Sequence, residues 1–207
     1  MTRLFLVRHA ESEWNAQRRW QGRGDPPLSE HGREQAAIAA PRLVGEVDAI
    51  VASPQQRAVE TAQIIADALG IGGVDTDDGL REIDVGEWTG LTLDVVESRW
   101  GDELRAWRAG ELDAPPGGEN RHDFLDRILA ALGRVRDANG DQRTLVLTHG
   151  GAIGRLERHL DCHPGHGAGN LTGRWFELNG DLRVAGDRVR LLPEPEMPAP
   201  ETQSEIR

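Results

Sequence analysis

Three strand-length apolar runs, each closed by a polar or glycine-rich corner and followed by a helical stretch, constrain this chain more than any other feature. Arg3–Val7, Ala49–Ala52 and Thr144–Thr148 lack the apolar–polar alternation of a strand wetted on one face. Such runs fit strands covered on both faces. The segments between them read as helices. Ser29 is a good N-cap for a helix to about Leu43, with Pro41 a weak point inside it. Ser53-Pro54 reads as an N-cap with proline at the first helical position, and that helix ends before Gly70. Val74–Thr76 is a further short strand, and residues 92–110 and 120–138 are helical, the latter capped by Asn120. A helix from Gly151 to Leu160 follows the Thr144 strand, and Arg174–Leu178 with Leu182–Leu192 forms a hairpin turning at Asn179-Gly180. The expected fold class is α/β, a three-layer α/β/α sandwich around a mostly parallel central sheet.

At 207 residues the chain suits one domain, expected over 1–192. The Pro/Glu-rich stretch 193–207 is expected to be a flexible tail. All 24 basic residues are Arg, and Tyr is absent. Without lysine there is no Schiff base and no phosphate loop of the kind that ends in lysine. The lone Cys162 excludes an internal disulfide and a C-x-x-C redox pair. A net charge of −11 argues against a nucleic-acid partner, whose binders present clustered positive charge. No apolar run approaches the ~20 residues of a membrane span, and no basic-then-apolar leader opens the chain, so a cytoplasmic location is expected.

Candidate chemistry collects at strand ends. Arg8-His9-Ala10 follows the first strand, Ser53-Pro54-Gln55-Gln56-Arg57 the second, and His149-Gly150-Gly151 the Thr144 strand. Open α/β sheets bind ligands outside the carboxyl ends of their strands. Arg8 and Arg57 offer planar forks of donors suited to phosphate or carboxylate. Arg57 also lies in the first turn of its helix, where anions are favoured, and Gly150-Gly151 allows close backbone approach at another helix start. Successive strand residues face opposite sides, so Arg8 and His9 share a pocket only if the strand breaks at His9. Two arginines and two histidines converging on one spot describe a phosphoryl-transfer site.

Five motifs then occur in order: Leu6-Val-Arg-His-Ala-Glu-Ser-Glu-Trp-Asn15, Gln21-Gly-x-x-Asp-x-Pro-Leu-Ser-Glu-x-Gly32, Ser53-Pro-x-x-Arg57-Ala-x-x-Thr-Ala62, Leu80-Arg-Glu82-x-x-x-Gly86-x-Trp-x-Gly90 and Thr148-His149-Gly150. Together, over residues 3–160, they resemble the histidine phosphatase superfamily in its phosphoglycerate-mutase-like branch. The resemblance implies a phosphoglycerate-mutase-like fold and a phosphohistidine on His9. It also implies that Arg8, Arg57 and a protonated His149 hold the phosphoryl group and that Glu82 donates the proton. Asn15 matches a further phosphate contact, Gln21 and Gly22 a substrate-side segment, and Gly150 a close backbone contact. Two departures stand out: Ala10 replaces the usual Gly, and Ile-Asp-Val-Gly follows Glu82 where the mutases have Arg-x-Tyr-Gly. The second favours a phosphatase of small phosphorylated metabolites, without metal or cofactor. A phosphoglycerate mutase and a non-catalytic phospho-ligand sensor are the rivals. The substrate and the oligomeric state are not legible.

Blander readings accompany several of these residues. A single histidine is more often structural than catalytic, and a loop glutamate such as Glu82 is ordinarily a solvated charge. The crowded stretch His159 to His166 fits no established zinc spacing, and Pro164 breaks the helix that would present it. The six tryptophans suit core packing as well as sugar stacking. Pro115-Pro-Gly-Gly-Glu119 resembles a Gly-Gly-Glu segment of the family, and reads equally well as a loop entering the next helix.

Overall fold

The order of the strands explains why three separate strand ends meet. A computed structural model describes residues 1–193. Strands β1 (Thr2–Arg8), β2 (Ala49–Ala52), β3 (Asp75–Thr76) and β4 (Arg143–Thr148) run parallel in the spatial order β3-β2-β4-β1. Strand β5 (Thr172–Asn179) pairs antiparallel with β1, and β6 (Asp181–Val184) and β7 (Val189–Arg190) pair with β5. The last strand of the parallel set, β4, is thus inserted between β1 and β2. Arg8 pairs with Thr148 and Ala52 with Leu147, so the three strands end level. His9, Ser53 and His149 are the next residues along each.

Alternation along β1 sends its side chains into two separate cores. Leu4 and Leu6 pack with Val146 beneath α4 (Leu93–Ala109), α5 (Arg121–Asn139) and α6 (Gly150–His159). Phe5 and Val7 pack with Leu145 and Leu147 beneath α2 (Glu30–Ala39) and α3 (Gln56–Leu69). This is the expected α/β/α sandwich. Helix α5 contributes Phe124, Leu125, Ile128, Leu132 and Val135 to its core, each worth about 1.5–3 kcal/mol when buried. A short α1 (Glu13–Ala16), unforeseen in the sequence, is closed by a capping box between Ser12 and Asn15.

Several expected boundaries shift for local reasons. Ser29 caps α2 as expected, but the helix ends at Ala39 and Pro41 enters a 3₁₀ turn over Ala40–Leu43. Ser53 is not the N-cap of α3: the cap is Gln55, and Ser53 turns its hydroxyl to His149 instead. The hairpin keeps Gly180 at its turn with φ 83°, but its second arm divides into β6 and β7. Leu191 and Leu192 end the second core. The expected tail, apart from Pro193, lies outside the described residues. Among the described residues no helix is long and apolar enough to cross a membrane.

Candidate active site

Strand β1 ends at Arg8, and the break lets both Arg8 and His9 reach one cleft. The corner is clamped from several sides. The His9 amide donates to the Thr148 carbonyl at 3.0 Å, and the Leu171 amide to the Arg8 carbonyl at 3.0 Å. Asn170 Nδ2 donates to the His9 carbonyl at 2.9 Å. Ala10 is fully buried and its amide donates to Thr61 Oγ1 at 3.1 Å. Its φ is not positive, so the alanine takes this corner without the strain that would demand glycine. Leu171 does have positive φ, 50°, a conformation the surrounding hydrogen bonds must hold against a cost of roughly 1 kcal/mol.

The partners of His9 set its tautomer. Nδ1 lies 2.6 Å from the Ala10 carbonyl, an acceptor only, so Nδ1 carries the proton. Nε2 accepts from Arg57 Nε at 3.1 Å, so its lone pair stands beside a guanidinium. Burial, then the charges of Arg57 and Arg8, hold the imidazole pKa well below its usual value, and His9 is neutral near pH 7. Arg57 is fully buried in the second position of α3. Its terminal nitrogens donate to the carbonyls of Gly24 (2.8 Å) and Gly22 (3.2 Å), leaving one N–H on each outside this set. Burial draws its pKa down to about 10, against the pull of Glu82 and Asp25, so it stays charged. Arg8 donates from Nη1 to the Ala168 carbonyl at 2.9 Å.

His149 stands with its ring centroid 5.3 Å from that of His9, edge to face. Nε2 shares a 2.8 Å hydrogen bond with Ser53 Oγ, and the buried Nδ1 has no protein partner. Burial, Arg57 and the neighbouring His9 hold its pKa well below the usual value. A proton on His149, as expected during phosphoryl transfer, would therefore arrive together with an anion.

Glu82 reaches the same cleft from the loop after a 3₁₀ turn at Asp78–Leu80. Its Oε2 accepts from the Gly151 amide at 3.0 Å and its Oε1 from the Ile83 amide at 2.9 Å. Only glycine at 151 permits this approach, because a Cβ there would lie 2.2 Å from Oε1. Gln21, Gly22 and Gly150 line the same open cleft, which spans about 810 Å³ out to its mouth. His149 sits behind this wall with no solvent exposure. Asn15 is also set back: Oδ1 accepts from the Ser12 amide and hydroxyl, both at 3.1 Å, as part of the cap of α1.

Beyond this geometry, most of the chain matches proteins of known family. The family model for the histidine phosphatase superfamily (branch 1) matches residues 4–173. The chain belongs to that superfamily. It is 37% identical over 200 residues to a glucosyl-3-phosphoglycerate phosphatase of Mycolicibacterium vanbaalenii, covering 89% of this chain and 87% of that one. It is 35% identical over 169 residues to a 2,3-bisphosphoglycerate-dependent phosphoglycerate mutase of Methylorubrum extorquens, covering 76% and 78%. A solved mycobacterial glucosyl-3-phosphoglycerate phosphatase in complex with VO3 superposes with a TM-score of 0.80 at 30% identity, covering 89% and 98%.

Within this histidine phosphatase frame, two groups had no distinct signal in the sequence. Gln55, fully buried, donates from Nε2 to the carbonyls of Gly22 (3.0 Å) and Gly24 (3.1 Å) and accepts from the Glu82 amide at 2.9 Å. Arg127 on α5 donates to the carbonyls of Gly79, Arg81 and Glu82 at 2.7–2.9 Å and to both carboxylate oxygens of Glu119. Burial and the opposing hydrogen bonds from Arg127 set the Glu119 carboxyl, with a net shift below its usual value. The 115–119 loop therefore does more than lead into α5: it anchors the arginine that fixes the Glu82 backbone. Of the tryptophans only Trp20 lines the cleft, packed against buried Trp88 and Trp107. The crowded His159–His166 stretch sends His163 to the cleft wall. Among the described residues no three His, Cys, Asp or Glu side chains gather to hold an ion.

Proposed function

We propose that this superfamily member is a metal-independent phosphatase of small phosphorylated metabolites, working through a phosphohistidine on His9. The observation that carries the reading is the tautomer of His9, with Nδ1–H tied to the Ala10 carbonyl and the Nε2 lone pair facing the cleft arginines. In the first step Nε2 bonds to phosphorus and the P–O bond to the leaving alcohol breaks. Glu82, entering protonated, gives that oxygen its proton. Arg8, Arg57 and a His149 charged by the incoming dianion balance the equatorial oxygens, the main task in phosphoryl transfer. In the second step water attacks phosphorus, Glu82 takes the water's proton, and the P–N bond breaks to return neutral His9. The cationic cradle takes over the charge neutralisation that a metal supplies elsewhere.

Hydrolysis is favoured over mutase activity by the residues after Glu82. Ile83 and Val85, buried and apolar, form the cleft wall where the mutases carry arginine and tyrosine. The test is a rapid quench at alkaline pH during turnover of a phosphate ester, followed by mass spectrometry. A phosphoryl group on His9, lost in His9→Ala with turnover, supports the mechanism; a phosphoryl group elsewhere, or a His9→Ala variant of normal rate, rejects it. Incubation with 3-phosphoglycerate separates the rival: phosphate release supports the phosphatase, isomerisation without release the mutase.

A further inference from the structure

The reaction cleft does not end at Glu82. A second cavity, about 360 Å³ out to its mouth, adjoins it and shares Ile83, Gly151 and Arg158 as walls. Its own walls add Arg121 from the start of α5 and Arg155 from α6, over a floor that includes Trp107. Three guanidinium groups thus face one apolar-floored hollow, in a chain whose net charge is −11.

Like charges do not gather at a half-buried site without cost. Burial, then repulsion from Arg121 and Arg155, draws the Arg158 guanidinium down to about 10, and Arg121 is lowered by burial and by Arg155. Two carboxylates face the group. Asp113 opposes the shift on Arg121, and Glu157 that on Arg158. Glu157 is already claimed: it is fully buried, with Arg188 bonded to both of its oxygens and Arg174 3.4 Å away. Arg155 Nε is buried with no protein partner. Like charges are thus crowded together here, and one of the group's donors, Arg155 Nε, has no protein partner. Both conditions are met by an anion entering from the cleft.

We propose that Arg155, Arg158 and Arg121 form a second anion subsite, which receives a carboxylate or second phosphate of the ester whose reacting phosphoryl group lies at His9. The proposal rests on the phosphatase reading and narrows its substrate class. The preferred esters carry two anionic groups, and neutral sugar or alkyl monophosphates are poorer. The subsite is built on α5 and α6, so the second anion is held by elements separate from the loop carrying Gln21 and Gly22.

The matched pair 3-phosphoglycerate and glycerol 3-phosphate differs only in a carboxylate against a hydroxymethyl group. The wild-type kcat/KM should favour the carboxylate by about 10–100-fold, the worth of one or two charge-assisted hydrogen bonds. Arg155→Met should collapse that ratio to within about threefold of unity with an unchanged melting temperature, and Arg155→Lys should restore part of it. A second pair, fructose 1,6-bisphosphate against fructose 6-phosphate, identifies phosphate as the second anion if the preference appears there instead. A wild type with no preference in either pair, or an Arg155→Met protein that keeps its preference, overturns the proposal. If no ester is hydrolysed, the phosphatase reading fails separately. The subsite is then judged on the ratio of Kd values for the same pairs with His9→Ala protein, before and after adding Arg155→Met.

Discussion

Replacing Gly151 by alanine displaces Glu82 without altering any group bonded to His9. The new Cβ would stand 2.2 Å from Oε1, 2.9 Å from Cδ and 3.1 Å from Oε2 of Glu82. Relief requires the carboxylate to retreat by about 1 Å, since carbon and oxygen rarely approach within ~3.2 Å. The movement is at the free end of a flexible side chain, and Gly151 sits in helical backbone near the start of α6, where alanine is the better helix former by about 1 kcal/mol. The fold should therefore hold or gain stability while Glu82, the proposed proton donor, goes out of line. A misplacement of about 1 Å costs on the order of 10²-fold in rate when the group acts in the transition state. The assay compares kcat/KM for an alkyl phosphate, whose alkoxide needs a proton, with dinitrophenyl phosphate, whose phenolate leaves without one. Gly151→Ala should lose roughly 10²-fold on the first and little on the second, tracking Glu82→Gln, for which about 10²–10⁴-fold is expected. Equal losses on both esters would show that Gly151 shapes the phosphate site itself. An alkyl rate within about threefold of wild type would remove Glu82 as the donor.

The buried histidines give a pH dependence of stability with a definite sign. His9 and His149 are neutral in the fold because their pKa values are lowered, whereas the unfolded chain takes up protons below about pH 6.5. Stability is therefore lost as pH falls below that value, by about 1 kcal/mol per pH unit for each histidine. Urea midpoints for His149→Asn should fall less steeply than wild type between pH 7 and 5, and parallel curves would refute the assignment. Glu157→Ala leaves Arg174 and Arg188 buried without their carboxylate, and should lower unfolding free energy by about 3–5 kcal/mol; a change below about 1 kcal/mol would show the pair to be dispensable. Exhaustive chelation should leave turnover unchanged, and activity lost to EDTA and restored by Mg²⁺ or Zn²⁺ would contradict the cationic cradle.

The residues that announce themselves in the sequence are those whose geometry is local. Arg8 closes an apolar strand and His9 and His149 directly follow one, and the parallel register of β1, β2 and β4 then brings the strand ends together. Sequence alternation cannot reveal a residue that works across the fold. Gln55 spans from α3 to the loop at Gly22 and Gly24 and to Glu82, partners 27–33 positions away in the chain. Arg127 looks like one more charged position on an amphipathic helix, and only the approach of the 79–82 backbone gives it its partners. Ser53 misleads for a related reason. Serine before proline is a fair N-cap by local preference, but a buried histidine at the end of the neighbouring strand competes for the hydroxyl and wins. Asn15 carries a local role beside the one its motif suggests: it fits a phosphate contact, and its side-chain oxygen also closes a helical turn.

The packing of Trp20, Trp88 and Trp107 has an optical consequence. Their ring centroids lie 5.4–5.9 Å apart at steep mutual angles, close enough for the indole transitions to couple and to give the chain its near-ultraviolet dichroism. With no tyrosine in the sequence, that spectrum carries no phenol background. One member of the trio, Trp20, forms part of the cleft wall, Trp107 floors the adjoining cavity, and Trp88 is buried in the core. An occupant of the cleft or of the adjoining cavity alters the surroundings of a chromophore in a coupled set of three, so occupancy of the site is written into the protein's own absorption and emission without any label.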